Sequence, residues 1–166
     1  MEYTEKIHDY VGEHKDEILK TLKELVKIPS VRGATELEAP FGKACADVLE
    51  YTEKLYSENG FETELDRQGG YLLSYFGNGK RTLGLFAHAD VVDVGEDWVH
   101  TKPFKPIEKD GYLIGRGMLD DKSAVVISLY CARILKELNI PFNSRLVMFT
   151  GANEETGMAD IEEYSK

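Results

Sequence analysis

Basic residues are in short supply: 20 Lys and Arg stand against 30 Asp and Glu in 166 residues, a formal net charge of −10. That deficit argues against nucleic acid and anionic membranes as partners. Long apolar runs are absent as well, and none approaches the roughly 20 residues needed to cross a bilayer. The opening stretch Met1-Glu-Tyr-Thr-Glu-Lys6 is charged and lacks the apolar segment of a secretion signal, so a cytoplasmic address is expected. Cysteine is rare, with only Cys45 and Cys131. Neither belongs to a Cys-x-x-Cys pair, and both fall on the apolar faces of expected helices. They therefore read as small core residues in a reducing compartment, neither a disulfide nor metal ligands. Internal repeats, low-complexity tracts and linkers are also missing, which places residues 1–166 in one domain.

What remains is a patterned soluble chain, 42% apolar and 30% charged. Apolar residues recur at three and four from Ile7 to Val26, predicting one amphipathic helix that ends before Pro29. A second helix is expected with Pro40 in its first turn and Asn59-Gly60 as its stop. Phe61 to Leu65 and Tyr71 to Phe76 read as strands joined by Gln68-Gly69-Gly70, and Phe104 to Ile114 as a short hairpin turning at Asp110-Gly111. Thr82 to Ala87 and Leu146 to Thr150 are unbroken apolar runs of strand length, suited to interior strands covered on both faces. Lys122 to Leu138 between them has helical spacing. The expected fold class is α/β, a three-layer α/β/α domain with a mixed, largely parallel sheet.

In a strand, helix and parallel strand unit, both strand carboxyl ends and the helix amino end open on one edge. His88 ends the first strand, Asp120 and Asp121 open the helix, and Glu154 and Glu155 follow the second strand. His88 and Asp90 lie two apart, so a carboxylate can hold the imidazole or its metal-bound tautomer. Asp120 or Asp121 could merely cap the helix, but two acids after Gly115-Arg-Gly117 imply a backbone path that aims something. Glu154 and Glu155 point in different directions, so one can bind a metal while the other faces a metal-bound water. Nitrogen and oxygen donors without sulfur suit zinc, manganese or cobalt.

The ordered set His88-Ala-Asp90, Gly115-Arg-Gly-Met-Leu-Asp120-Asp121-Lys122 and Glu154-Glu155-Thr156 resembles the dinuclear zinc metallopeptidase family of carboxypeptidase G, carnosinase and aminoacylase. Ala39-Pro40-Phe41-Gly42, Gly95-Glu-Asp-Trp98 and Pro103-Phe104 are similar to its bacterial PepV-type dipeptidase branch. The resemblance implies two zinc ions, with cobalt or manganese as substitutes. It further implies that His88 binds one zinc, Asp120 bridges both and Glu155 binds the second. Asp90 would orient His88, Glu154 would be the general base, and the bond between Asp120 and Asp121 would be cis.

Ser123 stands where the family often has glycine. The family also uses a further carboxylate and a later histidine as ligands, and a lid or dimerisation domain, which these residues do not supply. Residues 1–166 are thus expected to be the amino-terminal part of the catalytic domain. The implied reaction is amide hydrolysis in a dipeptide. The rival within the family is deacylation of an N-acyl or N-succinyl amino acid. The rival of another class is a non-catalytic α/β domain that binds a metal or a partner.

Overall fold

A computed structural model describes residues 2–166, and of Glu2 the backbone. Two antiparallel strands, β1 (Glu62–Asp66) and β2 (Tyr71–Phe76), follow three helices, α1 (Glu2–Glu13), α2 (Lys15–Val26) and α3 (Lys43–Glu58). Next come β3 (Arg81–His88), the hairpin β4 (Ile107–Lys109) and β5 (Tyr112–Ile114), helix α4 (Lys122–Glu137) and β6 (Ser144–Gly151). A 3-10 turn (Glu154–Thr156) and the short α5 (Ala159–Tyr164) end the chain.

The main sheet has the order β1-β2-β6-β3. It is mixed, as expected, but β3 with β6 is its one parallel pairing, while β1 with β2 and β2 with β6 run antiparallel. The two apolar strands and the helix between them form the anticipated unit, with α4 packed on both. Alternation along the strands sends Leu146 and Met148 into the main core, with Leu25 and Val26 of α2, Val48 of α3 and Val125 and Leu129 of α4. The alternate residues, Val147 and Phe149, join Leu73 on the opposite face, where Ile161 of α5 is the helical partner. Among the described residues the third layer is thus represented by α5 alone.

Four local expectations are corrected by the structure. The first helix is two, divided at His14, whose φ of −98° and ψ of 6° leave the helical region even though its N–H still bonds the Tyr10 carbonyl and its ring stacks on Tyr10 at 3.9 Å. Pro40 precedes α3 instead of entering it, because Gly42 at φ 94° sets the helix start at Lys43. Strand β3 is an edge strand among the described residues, which leaves Leu83 and Phe86 exposed. Finally, Cys45 is buried but Cys131 is exposed, since the buried stripe of α4 runs through Tyr130 and Ala132 on either side of it.

Candidate metal centre

The parallel register of β3 and β6 builds the site, for it sets His88 beside Gly151 and so ends both strands together. His88 is buried and Asp90 is 1% exposed behind it. The imidazole Nδ1 lies 3.1 Å from the Asp90 carbonyl and 3.3 Å from Asp90 Oδ1, which leaves Nε2 facing outward. There Nε2 meets Asp120 Oδ1 at 3.1 Å and stands 3.7 Å from Glu154 Oε2. One donor atom from each of His88, Asp120 and Glu155 lies within 4.8 Å of the other two.

Asp120 reaches this point through a tight path. Gly117 has φ 78°, and a Cβ there would sit 2.7 Å from Val91 Cγ1, so the backbone passes where no side chain fits. The Lys122 N–H closes the turn on the Gly117 carbonyl at 3.1 Å. The peptide bond between Asp120 and Asp121 is cis. Asp121 occupies the N-cap position of α4, yet its side chain caps nothing. Its Oδ2 instead accepts the His88 backbone N–H at 3.3 Å.

Lys122 was legible in the motif but not its task. Its ammonium, fully buried, donates to the carbonyls of Leu25 at 3.1 Å and Ile28 at 2.6 Å, tying the start of α4 to the end of α2. The Leu25 carbonyl lies in the last turn of α2, where carbonyls lack the usual helical partner, and the Ile28 carbonyl lies just beyond the helix. Burial pulls its pKa down to about 7, against the opposing pull of Cys45 and Asp90.

Electrostatically the site is an excess of carboxylates around one imidazole. Burial alone would lower the His88 pKa, but the hydrogen bond and charge of Asp90, with Asp121 and Asp120, raise it to about 9. Burial and the Asp120 charge hold Glu155 above the ordinary carboxylate range. Burial does the same for Asp121, partly offset by the His88 N–H. Such crowding favours a bound cation, and the donor set of one imidazole nitrogen and carboxylate oxygens fits zinc, manganese or cobalt.

The structure therefore brings together all five residues singled out from sequence: His88, Asp120 and Glu155 as one donor group, Asp90 behind the histidine and Glu154 beside it. An α/β domain with a nitrogen and oxygen donor cluster at the carboxyl edge of its parallel strand pair is the class thus defined. Residues 84–165 match the family model "Peptidase family M20/M25/M40", and the chain carries a domain of that family. A Staphylococcus saprophyticus protein named "Putative dipeptidase" is 35% identical over 159 residues, covering 94% of this chain and 33% of its own length. Proteins of the same name from Staphylococcus aureus are 32% identical over the same length. The chain spans about a third of the length of these relatives.

Human carnosine dipeptidase 1 shares the fold, with a TM-score of 0.83 at 24% identity over 96% of this chain and 37% of that one. So does an M20 family metallo-carboxypeptidase from Sulfolobus solfataricus, with a TM-score of 0.77 at 24% identity over 89% of this chain and 33% of its own.

Proposed function

We propose that these residues form the amino-terminal part of the catalytic domain of a dinuclear zinc dipeptidase, a cytoplasmic enzyme that hydrolyses the amide bond of a dipeptide. The observation that carries the reading is the gathering of His88, Asp120 and Glu155 donor atoms within 4.8 Å, with the Glu154 carboxylate 3.7 Å from His88 Nε2. Two thiols with no disulfide between them suit the reducing address.

His88 would hold one zinc, Glu155 the other, and Asp120 would bridge them. Bound there, the ions supply polarisation of the scissile carbonyl and a lowered pKa for the attacking water. Glu154 takes the proton of that water and passes it to the departing amine, a general base turned general acid. Asp90 keeps His88 Nδ1 engaged, so that the tautomer presenting Nε2 outward is the one available.

Three donors shared between two ions give each ion two, whereas a catalytic zinc takes about three protein ligands and a water. The complete centre would then draw further ligands, and the lid that receives substrate, from outside these 166 residues.

The test is a zinc titration of the purified chain by calorimetry, followed by hydrolysis assays on dipeptides and N-acyl amino acids with zinc, cobalt or manganese added. Weak binding with little turnover is expected from this chain, and preference for dipeptides from a protein that supplies the remaining ligands. No metal binding at all would overturn the metal centre. Tight binding of two ions with steady turnover, abolished by Glu154→Ala, would overturn the claim that ligands are missing.

A further inference from the structure

Four consecutive backbone N–H groups at the end of β6 end on two buried carboxylates. Those of Glu154 and Glu155 donate to Asp90 Oδ1 and Oδ2, each at 3.2 Å. Those of Ala152 and Asn153 donate to one oxygen, Asp160 Oδ2, at 2.7 and 2.9 Å. The other oxygen of Asp160 takes the Ile161 N–H at 2.9 Å. Asp160 is 2% exposed and sits in the first turn of α5, seven residues beyond the segment it grips. Space for the carboxylate exists because residue 151 is glycine: a Cβ there would lie 2.2 Å from Asp160 Oδ2.

We infer that Asp160 is a positioning residue for the pair Glu154 and Glu155, holding the exit of β6 in the curve that turns both glutamates toward His88. The inference rests on the function proposed above for those two residues. Asp90 alone does not set this curve. It grips only the far half of the segment, and the near half would be free to rotate about Ala152 and Asn153 without the second carboxylate. Two further contacts lock the loop that returns the chain to Asp160. Asn153 Oδ1 accepts the Ala159 N–H at 3.0 Å, and Arg32 Nη1 donates to the Thr156 carbonyl at 3.1 Å. The hydrogen bonds of Asp160 all go to backbone N–H groups, those of Ala152, Asn153 and Ile161, so its effect is transmitted through the backbone.

Geometry predicts which replacements succeed. Asparagine keeps one carbonyl oxygen, enough to accept both the Ala152 and Asn153 N–H groups, and only its amide group conflicts with the Ile161 N–H. Alanine keeps no acceptor and leaves buried donors unpaired. Glutamate is one methylene longer in a space that Gly151 opens only for the shorter acid.

The experiment compares the chain with Asp160→Asn, Asp160→Ala and Asp160→Glu by amide hydrogen exchange at single-residue resolution, and by manganese(II) titration followed through water proton relaxation. Asp160→Ala and Asp160→Glu are expected to speed exchange at Glu154 and Glu155 about tenfold while α2 and α4 keep their protection. They should weaken manganese binding on the order of tenfold, as loss of a supporting hydrogen bond does at metal sites. Asp160→Asn should restore most of both. Unchanged exchange at Glu154 and Glu155 in Asp160→Ala overturns the inference. So does a loss of protection spread evenly over the whole chain, which would make Asp160 a residue of general stability. Faster exchange at the two glutamates in a chain that binds no manganese even before substitution would leave the positioning intact and overturn the metal reading instead.

Discussion

The Tyr56 hydroxyl donates to the Val125 carbonyl at 2.7 Å, joining α3 to α4 beneath the sheet, and both residues are 0% exposed. Val125 lies four residues after Asp121, so this bond fixes the first turn of the helix that carries the Asp120-Asp121 pair. Tyr56→Phe removes the hydroxyl and leaves its shape. It should cost about 1 kcal/mol, the usual net worth of one buried hydrogen bond, read as a lowered urea midpoint with an unchanged slope. An unchanged midpoint would show that the carbonyl is satisfied without it.

Asp90 has two duties, supporting the His88 ring and accepting the Glu154 and Glu155 N–H groups. Asp90→Ala is therefore expected to weaken cobalt binding by roughly 10- to 100-fold, the range found when the group behind a ligating histidine is lost. Titration followed by visible absorption checks it. Affinity equal to that of the unaltered chain would mean that His88 is not a ligand or needs no support.

Arg133 binds Glu17 at 2.5 Å and Glu137 at 2.8 Å, while Tyr130 and Tyr10 donate to the same two carboxylates. Burial pushes both glutamates up, but these hydrogen bonds outweigh it and hold each below the ordinary carboxylate range. The unfolded chain thus takes up protons first as pH falls. Stability from the network is complete above the ordinary glutamate value of about 4.3 and is lost as pH drops through the lower folded values. Both carboxylates are substantially exposed, so the loss should stay under about 1 kcal/mol. Urea midpoints at several pH values, for the chain and for Arg133→Met, measure it. The two should converge toward acid, and a constant gap would refute the assignment.

Phe86 is 58% exposed on edge strand β3, with its ring 5.4 Å from that of Phe149 and 6.3 Å from that of Tyr164. This aromatic patch borders a cavity of about 500 Å³ that reaches His88 and Glu154. An apolar patch beside an unpaired edge promotes self-association. The chain is expected to self-associate through this patch, and Phe86→Lys should weaken that association about tenfold, equivalent to roughly 1.4 kcal/mol, in sedimentation equilibrium. If the variant associates as strongly, the contact lies elsewhere.

Local pattern was enough for much of this protein. The β6 run, the spacing of α4, the stop at Asn59-Gly60 and the hairpin at Asp110-Gly111 depend on side-chain periodicity and turn chemistry, which neighbours in the chain determine. The five site residues could be placed at one edge because strand ends and a helix start are legible in order along the sequence. Other features depend on groups far apart in the chain meeting in space. The exposure of β3 depends on which strand lies beside it. The buried Lys122 ammonium is decided by the end of α2, nearly a hundred residues earlier, which has carbonyls to offer. Asp160 has no distinguishing mark in sequence, where it is one more acid in an acidic chain. Only the return of α5 across Gly151 brings its carboxylate under the unpaired N–H groups of the strand end, and burial then gives those hydrogen bonds their weight.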